Sequence, residues 1–144
     1  MKPVILDFGS AKEAFLVRLD ELREIQKACD AGPFDIAHRL ATAVNVLRLN
    51  REATKLELAV LGLGSCRVDD VREPIFQGLV AAGMPPIMAG KLVKRWIDDR
   101  GFSGLIENVE LALSLVVAGI EEEEPLGESS AAADASEIPT TTAG

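Results

Sequence analysis

Apolar positions along the chain change period once, near residue 20. Before that point, "VILDF" and "EAFLVRLD" are short runs rich in β-branched and aromatic residues, separated by Gly9-Ser10-Ala11-Lys12. Phe15, Val17 and Leu19 alternate with Ala14, Leu16 and Arg18. That alternation predicts a β-hairpin over residues 4–19 with one face against the rest of the protein. Beyond it, apolar residues recur every three or four positions, the period of an amphipathic helix. Leu22, Ile25 and Cys29 form a first stripe, with Asp20 as N-cap and "DAGP" as its end. Ile36, Leu40, Val44 and Leu47 form a second. Asn50 is placed to cap a third helix carrying Leu56, Val60 and Leu63, which "GLGSC" stops. Three further helices are predicted over residues 70–83, 86–100 and 104–120. In the fifth, Pro86 suits the first turn and Leu92, Val93, Trp96 and Ile97 make the apolar face. The sixth presents Leu105, Val109, Leu113, Val116 and Ile120.

The predicted architecture is mainly α with a small N-terminal β-hairpin (α+β), a bundle of five or six helices forming one globular domain, residues 1–121. Trp96, Leu92, Leu79, Ile75, Leu113 and Val116 are expected to share its core. No internal repeat is found.

Charge refines this picture at the C-terminus. Of a net charge of −8, seven acidic side chains and no Lys or Arg fall in residues 121–144, leaving 16 acidic against 15 basic side chains in residues 1–120. The segment "EEEEPLGESSAAADASEIPTTTAG" is too polar to offset its ordering entropy, so residues 122–144 are expected to form a disordered acidic tail. The nearly neutral remainder lacks the basic footprint that phosphate binding needs. With no Tyr, one Trp and five Phe there is little to stack bases on, so no nucleic-acid partner is expected. Apolar runs fall short of the roughly 20 residues of a bilayer span, and the start reaches Asp7 before a signal-peptide core could form. Neither a membrane nor an export route is expected, and the cytoplasm is the expected compartment. Cys29 and Cys66 have no CxxC or His partners, which suggests inert, half-buried thiols.

The stretch "CRVDDVREPIFQGLVAAGMP", Cys66 to Pro85, poses the sharpest chemical question. Asp69 and Asp70 are sequence neighbours, as are Asp98 and Asp99. On a helix such neighbours diverge by about 100°, so neither pair converges on one reacting centre. Asp70-x-x-Glu73 instead fits a capping-box variant, with Asp70 as N-cap and Glu73 reaching back. Pro74 would delay the helix start by a residue or two. His38 is the only histidine and supplies neither a triad nor a metal set. "GLGSC" lacks the Lys-Ser/Thr ending of a phosphate loop. No catalytic, cofactor-binding or metal-ligating residues emerge, and a non-enzymatic role is expected. Met84, Ile87 and Met88 flank the Pro85-Pro86 corner, where core filling competes with an adaptable contact surface. On the second alternative, Met84, Ile87 and Met88 bind a partner, with Lys91, Lys94 and Arg95 as the polar rim.

From Arg67 to Ile120, "VDDVREPIFQGLVAAGMP" followed by "AGKLVKRWIDDRGFSGLIENVELALSLVVAGI" resembles the gene-transfer-agent tail protein family, which is grouped with phage tail assembly chaperones. The matching pieces are an Asp-Val-Arg-Glu helix start at Asp70 to Glu73 and a Gly-Leu helix at Gly78 to Gly83. They continue with a Leu-Val-x-x-Trp-Ile-Asp helix at Leu92 to Asp98 and a Glu-Asn-x-x-Leu-Ala helix at Glu107 to Ala112. The N-terminal hairpin and "LDELREIQKACDAGPFDIAHRL" are similar to the family's opening, so the resemblance covers residues 4–40 and 66–120. Residues 41–65 look like an insertion, and "PPIM" stands where a plainer loop is usual. The resemblance implies a protein that keeps tail tube subunits or the tape-measure protein soluble during tail building in the producing bacterial cell, with self-association left open. The alternative it implies is a structural, tube-associated component of a phage-like particle. A tube subunit is expected to be β-rich, which this chain is not.

Overall fold

The computed structural model describes residues 2–62 and 64–123. Strands β1 (Val4–Phe8) and β2 (Ala11–Phe15) pair antiparallel, with Val4 opposite Phe15 and Phe8 opposite Ala11. The turn is therefore only Gly9-Ser10, and Gly9 takes the positive φ of +65° that so short a hairpin loop demands. Phe8 and Phe15 meet edge to face on the inner side, and Lys12 pairs with Asp7 on the outer side at 3.0 Å. The hairpin is shorter than the 4–19 expected. Past Phe15 the alternation fails: Phe15, Leu16 and Val17 are all buried as the chain enters the core, and the Leu16 N–H donates to the Gly78 carbonyl of a helix rather than to a strand.

Helices follow: α1 (Leu19–Cys29), α2 (Pro33–Leu49), α3 (Lys55–Leu61), α4 (Val68–Ala81), α5 (Pro86–Val93) continued by a π-helical turn (Lys94–Asp98), and α6 (Leu105–Glu123). Three of them start by one device. In α1, α3 and α4 an acidic residue in the first turn reaches back to the backbone N–H just before the helix: Glu21 to Arg18 at 2.8 Å, Glu57 to Thr54 at 2.9 Å and Asp70 to Arg67 at 2.9 Å. Asp20 and Asp70 are thus not N-caps, as expected from the sequence, but lie inside their helices. Asn50 closes α2 through its side-chain amide on the Val46 carbonyl, and Thr54 caps α3. Pro74 does not delay α4 either. It sits in the middle of that helix, where its missing N–H is the one that would have reached the Asp70 carbonyl.

The core lies where α6 crosses α2 and α4, with α1 and the hairpin packed on α4. The stripes of the first two helices are buried as expected. Of the expected six-residue core, Leu79, Ile75 and Val116 are buried, while Trp96, Leu92 and Leu113 pack on its edge. In α6 the buried face is rotated from the predicted stripe: Val109, Ala112, Leu115 and Val116 are inside, and Leu105, Leu113 and Ile120 are half-buried. Among the described side chains of α3 only Leu58 is buried; Leu56 and Val60, expected inside, face solvent, and Leu63 lies outside the described residues. Helix α6 runs to Glu123, beyond the expected limit at residue 121, and the rest of the expected tail lies outside the described residues. No helix among the described residues is long and apolar enough to cross a membrane.

Candidate functional site

The Pro85-Pro86 corner is built by the end of α4. Gly83, at φ +115°, closes that helix: its N–H donates to the Val80 carbonyl and the Met84 N–H to the Leu79 carbonyl, both at 3.0 Å. This turn presses Met84 half-buried against the core and leaves Pro85 and Pro86 to start α5. Around α5 the faces separate sharply. Ala89, Val93 and Ile97 are buried, whereas Ile87 is 77% and Met88 52% exposed. Lys91, Lys94 and Arg95 are exposed and follow Ile87 at i+4, i+7 and i+8, on the same side of the helix as Ile87 and Met88. Of the two roles open to this corner, core filling applies to Met84 alone.

The π-helical turn anchors the far end of that face. Its N–H to C=O bond from Asp99 to Lys94, 2.8 Å, spans five residues, and Asn108 Nδ2 holds the Trp96 carbonyl at 3.0 Å. Lys94 pairs with Asp99 at 2.8 Å, a bond that raises the Lys94 pKa. The Arg95 and Arg100 guanidinium carbons lie 5.3 and 5.2 Å from the centre of the Trp96 ring, within cation–π range. Gly9 of the hairpin turn lies against the same indole, so closely that a Cβ there would fall 2.5 Å from its atoms.

The carboxylates of Cys66 to Pro85 do not converge. Asp70 is fully buried and pairs with Arg39 of α2 at 2.8 Å, while Asp69 is exposed and lies 3.8 Å from Arg72. Arg72 also binds Asp98 at 2.8 Å. Glu73 is half-buried, and burial, followed by the nearby Asp69 charge, lifts its carboxyl above the ordinary value. Burial pushes the free Cys29 thiol up to about 12, helped by the Asp70 charge, and the Cys66 thiol up to about 11. Both stay protonated at neutral pH and are poor nucleophiles. His38 is exposed on α2. Among the described residues, no group of three or more His, Cys, Asp or Glu side chains is placed to hold a metal.

A second apolar surface escaped the sequence reading. Leu49 at the end of α2 and Leu56, Val60 and Leu61 of α3 line an open groove, with Leu56 74% and Val60 80% exposed. The signal was present as excess: α3 has more apolar positions than one helix face can bury against one neighbour. No protein-family model matches the chain, and comparison with curated proteins and with solved structures finds no match.

Proposed function

We propose that the protein is a non-catalytic assembly chaperone for a phage-like tail, binding the tail tube subunit or the tape-measure protein through the exposed Ile87 and Met88, with Met84 beneath them holding the corner on the core, and through the basic side chains of Lys91, Lys94 and Arg95. The observation that carries this reading is the exposure of Ile87 and Met88 on a helix whose opposite face is fully packed. The proline-restricted turn and the helix already fix the backbone beneath these side chains, so binding removes little backbone freedom, and the apolar area they bury contributes to affinity. The test is co-purification from cells assembling tails. Ile87→Asp and Met88→Asp are expected to leave the melting temperature near that of the wild type, to lose the tail partner and to yield tailless particles. Wild-type tail assembly by both variants would reject the corner.

A structural tail component is the second reading, favoured by the separate apolar surface on α3. A subunit fixed between neighbours uses two such faces, whereas a transient chaperone needs one. Mass spectrometry of purified particles separates the two: the chaperone is absent and the structural subunit present in fixed ratio to tube protein.

A further inference from the structure

We propose that the exposed stripe of α5 recognises an acidic amphipathic helix of its protein partner, a specification that rests on the binding role given to this surface above. The apolar part of the stripe is Ile87 and Met88. Its charged part divides into satisfied and unsatisfied cations. Lys94 is paired with Asp99, and Asp98 with Arg72. Lys91, Arg95 and Arg100 have no carboxylate within ion-pair distance among the described residues. Two of these three hold their guanidinium groups against Trp96. Stacking there orders both groups; Arg100 gives one Nη2–H to Ser103 Oγ at 3.0 Å, and its other N–H groups, with the edge of Arg95, are left for a carboxylate. Three cations without an ion-pair partner beside an exposed apolar pair, on residues 1–120 that carry 16 acidic against 15 basic side chains, make a local excess of positive charge.

Complementarity therefore calls for apolar residues over Ile87 and Met88 and carboxylates over Lys91, Arg95 and Arg100. From Ile87 to Arg95 the stripe rises about 12 Å, which two turns of a partner helix with acids at i and i+4 match. Strand addition by a peptide would need an unpaired sheet edge, and α5 offers none, whereas a helix can lay an apolar and acidic face along the stripe. The chain's overall negative charge repels an acidic partner at long range, so the preference resides in these contacts. Salt titration would mix the two effects, and charge reversal separates them.

Trp96 is the single tryptophan and touches Arg95, so its emission reports the stripe directly in the full chain. The probes are a synthetic helix of about 18 residues, long enough to hold helical structure, with a leucine face flanked by glutamates, and its counterpart with lysine at each glutamate. The expected result is saturable change with the acidic peptide at a Kd at least about tenfold below that of the basic one. Lys91→Glu combined with Arg95→Glu is expected to reverse the order, with an unchanged melting curve as the check on folding. Equal affinity for both wild-type titrations, or no saturation with the acidic peptide, overturns the proposal without any variant being needed. So do a stronger response to anionic phospholipid vesicles, which assigns the stripe to a membrane surface, and self-association abolished by the double reversal, which assigns it to a second copy. If Ile87→Asp abolishes tail-partner binding while the charge reversal leaves it intact, the acidic specificity fails and the binding corner stands. If both variants keep the partner, the corner itself fails.

Discussion

Asp70 shows how far one side chain's role can depart from its local sequence context. In Asp70-x-x-Glu73 it reads as a helix cap, and removing a cap costs about 0.5–2 kcal/mol. In the fold it is fully buried against Arg39, whose Nε is itself buried without a partner among the described residues. Asp70→Ala strands that guanidinium, so unfolding by denaturant is expected to show a loss of about 3–5 kcal/mol. Arg39→Met combined with Asp70→Leu removes both charges and is expected to recover most of it; a double variant as unstable as Asp70→Ala would refute the ion-pair account. Glu73 supplies a pH signature of opposite cause. Its carboxyl is held above the ordinary 4.5, so the folded chain binds that proton more tightly than the unfolded one. Stability from this group falls as pH rises from the unfolded value through the raised folded value, and the loss is complete above it. Glu73→Gln is therefore expected to melt higher than wild type at pH 7, with the gap closing below pH 4.5.

Among the elements, α6 decides the packing, and its glycine is the sensitive point. A Cβ at Gly119 would lie 2.8 Å from Val17 Cγ1 and 3.4 Å from Leu22 Cδ1. Helix propensity alone would make Gly119→Ala stabilising by about 1 kcal/mol. Overpacking against Val17, which is itself buried, costs about 1–3 kcal/mol and wins. A net destabilisation of Gly119→Ala, relieved when Val17→Ala is added, is the expected double-mutant cycle; strictly additive effects would show that the two elements do not meet. The rotated face of α6 makes a second expectation at this scale. Leu115→Ala is expected to cost about 2–5 kcal/mol, and Leu113→Ala less, because Leu113 already meets solvent and leaves a smaller cavity. Thermal melts of the two variants side by side test the order.

Across the whole molecule, the hairpin is closed onto the π-helical turn by Gly9 and Trp96, which stand far apart in sequence. Gly9→Ala meets two obstacles, a positive φ and an indole 2.5 Å from the new Cβ. It is expected to cost about 1–3 kcal/mol and to red-shift Trp96 emission as the hairpin lifts away; an unshifted spectrum would show that the turn does not cover the ring. Local periodicity was enough to fix part of this fold. It placed a hairpin before residue 20, the stripes of α1 and α2, and the start of α5 at Pro86, because alternation, helical spacing and proline's fixed φ act within a few residues. The exposed corner was legible as a candidate, since prolines and methionines stand together there, but not its exposure. Which apolar residues are covered depends instead on how the helices pack. In α6 apolar residues occupy more than one face, and from Leu115 to Ile120 every side of the helix, so the buried face is set by the positions of α2 and α4 rather than by the pattern. In α3 the neighbours bury one leucine and leave Leu56 and Val60 in water. The role of Asp70 was settled in the same way, by an arginine 31 positions away whose approach no local rule contains. Burial is a property of what lies opposite a side chain, and the chain names its partners only by folding.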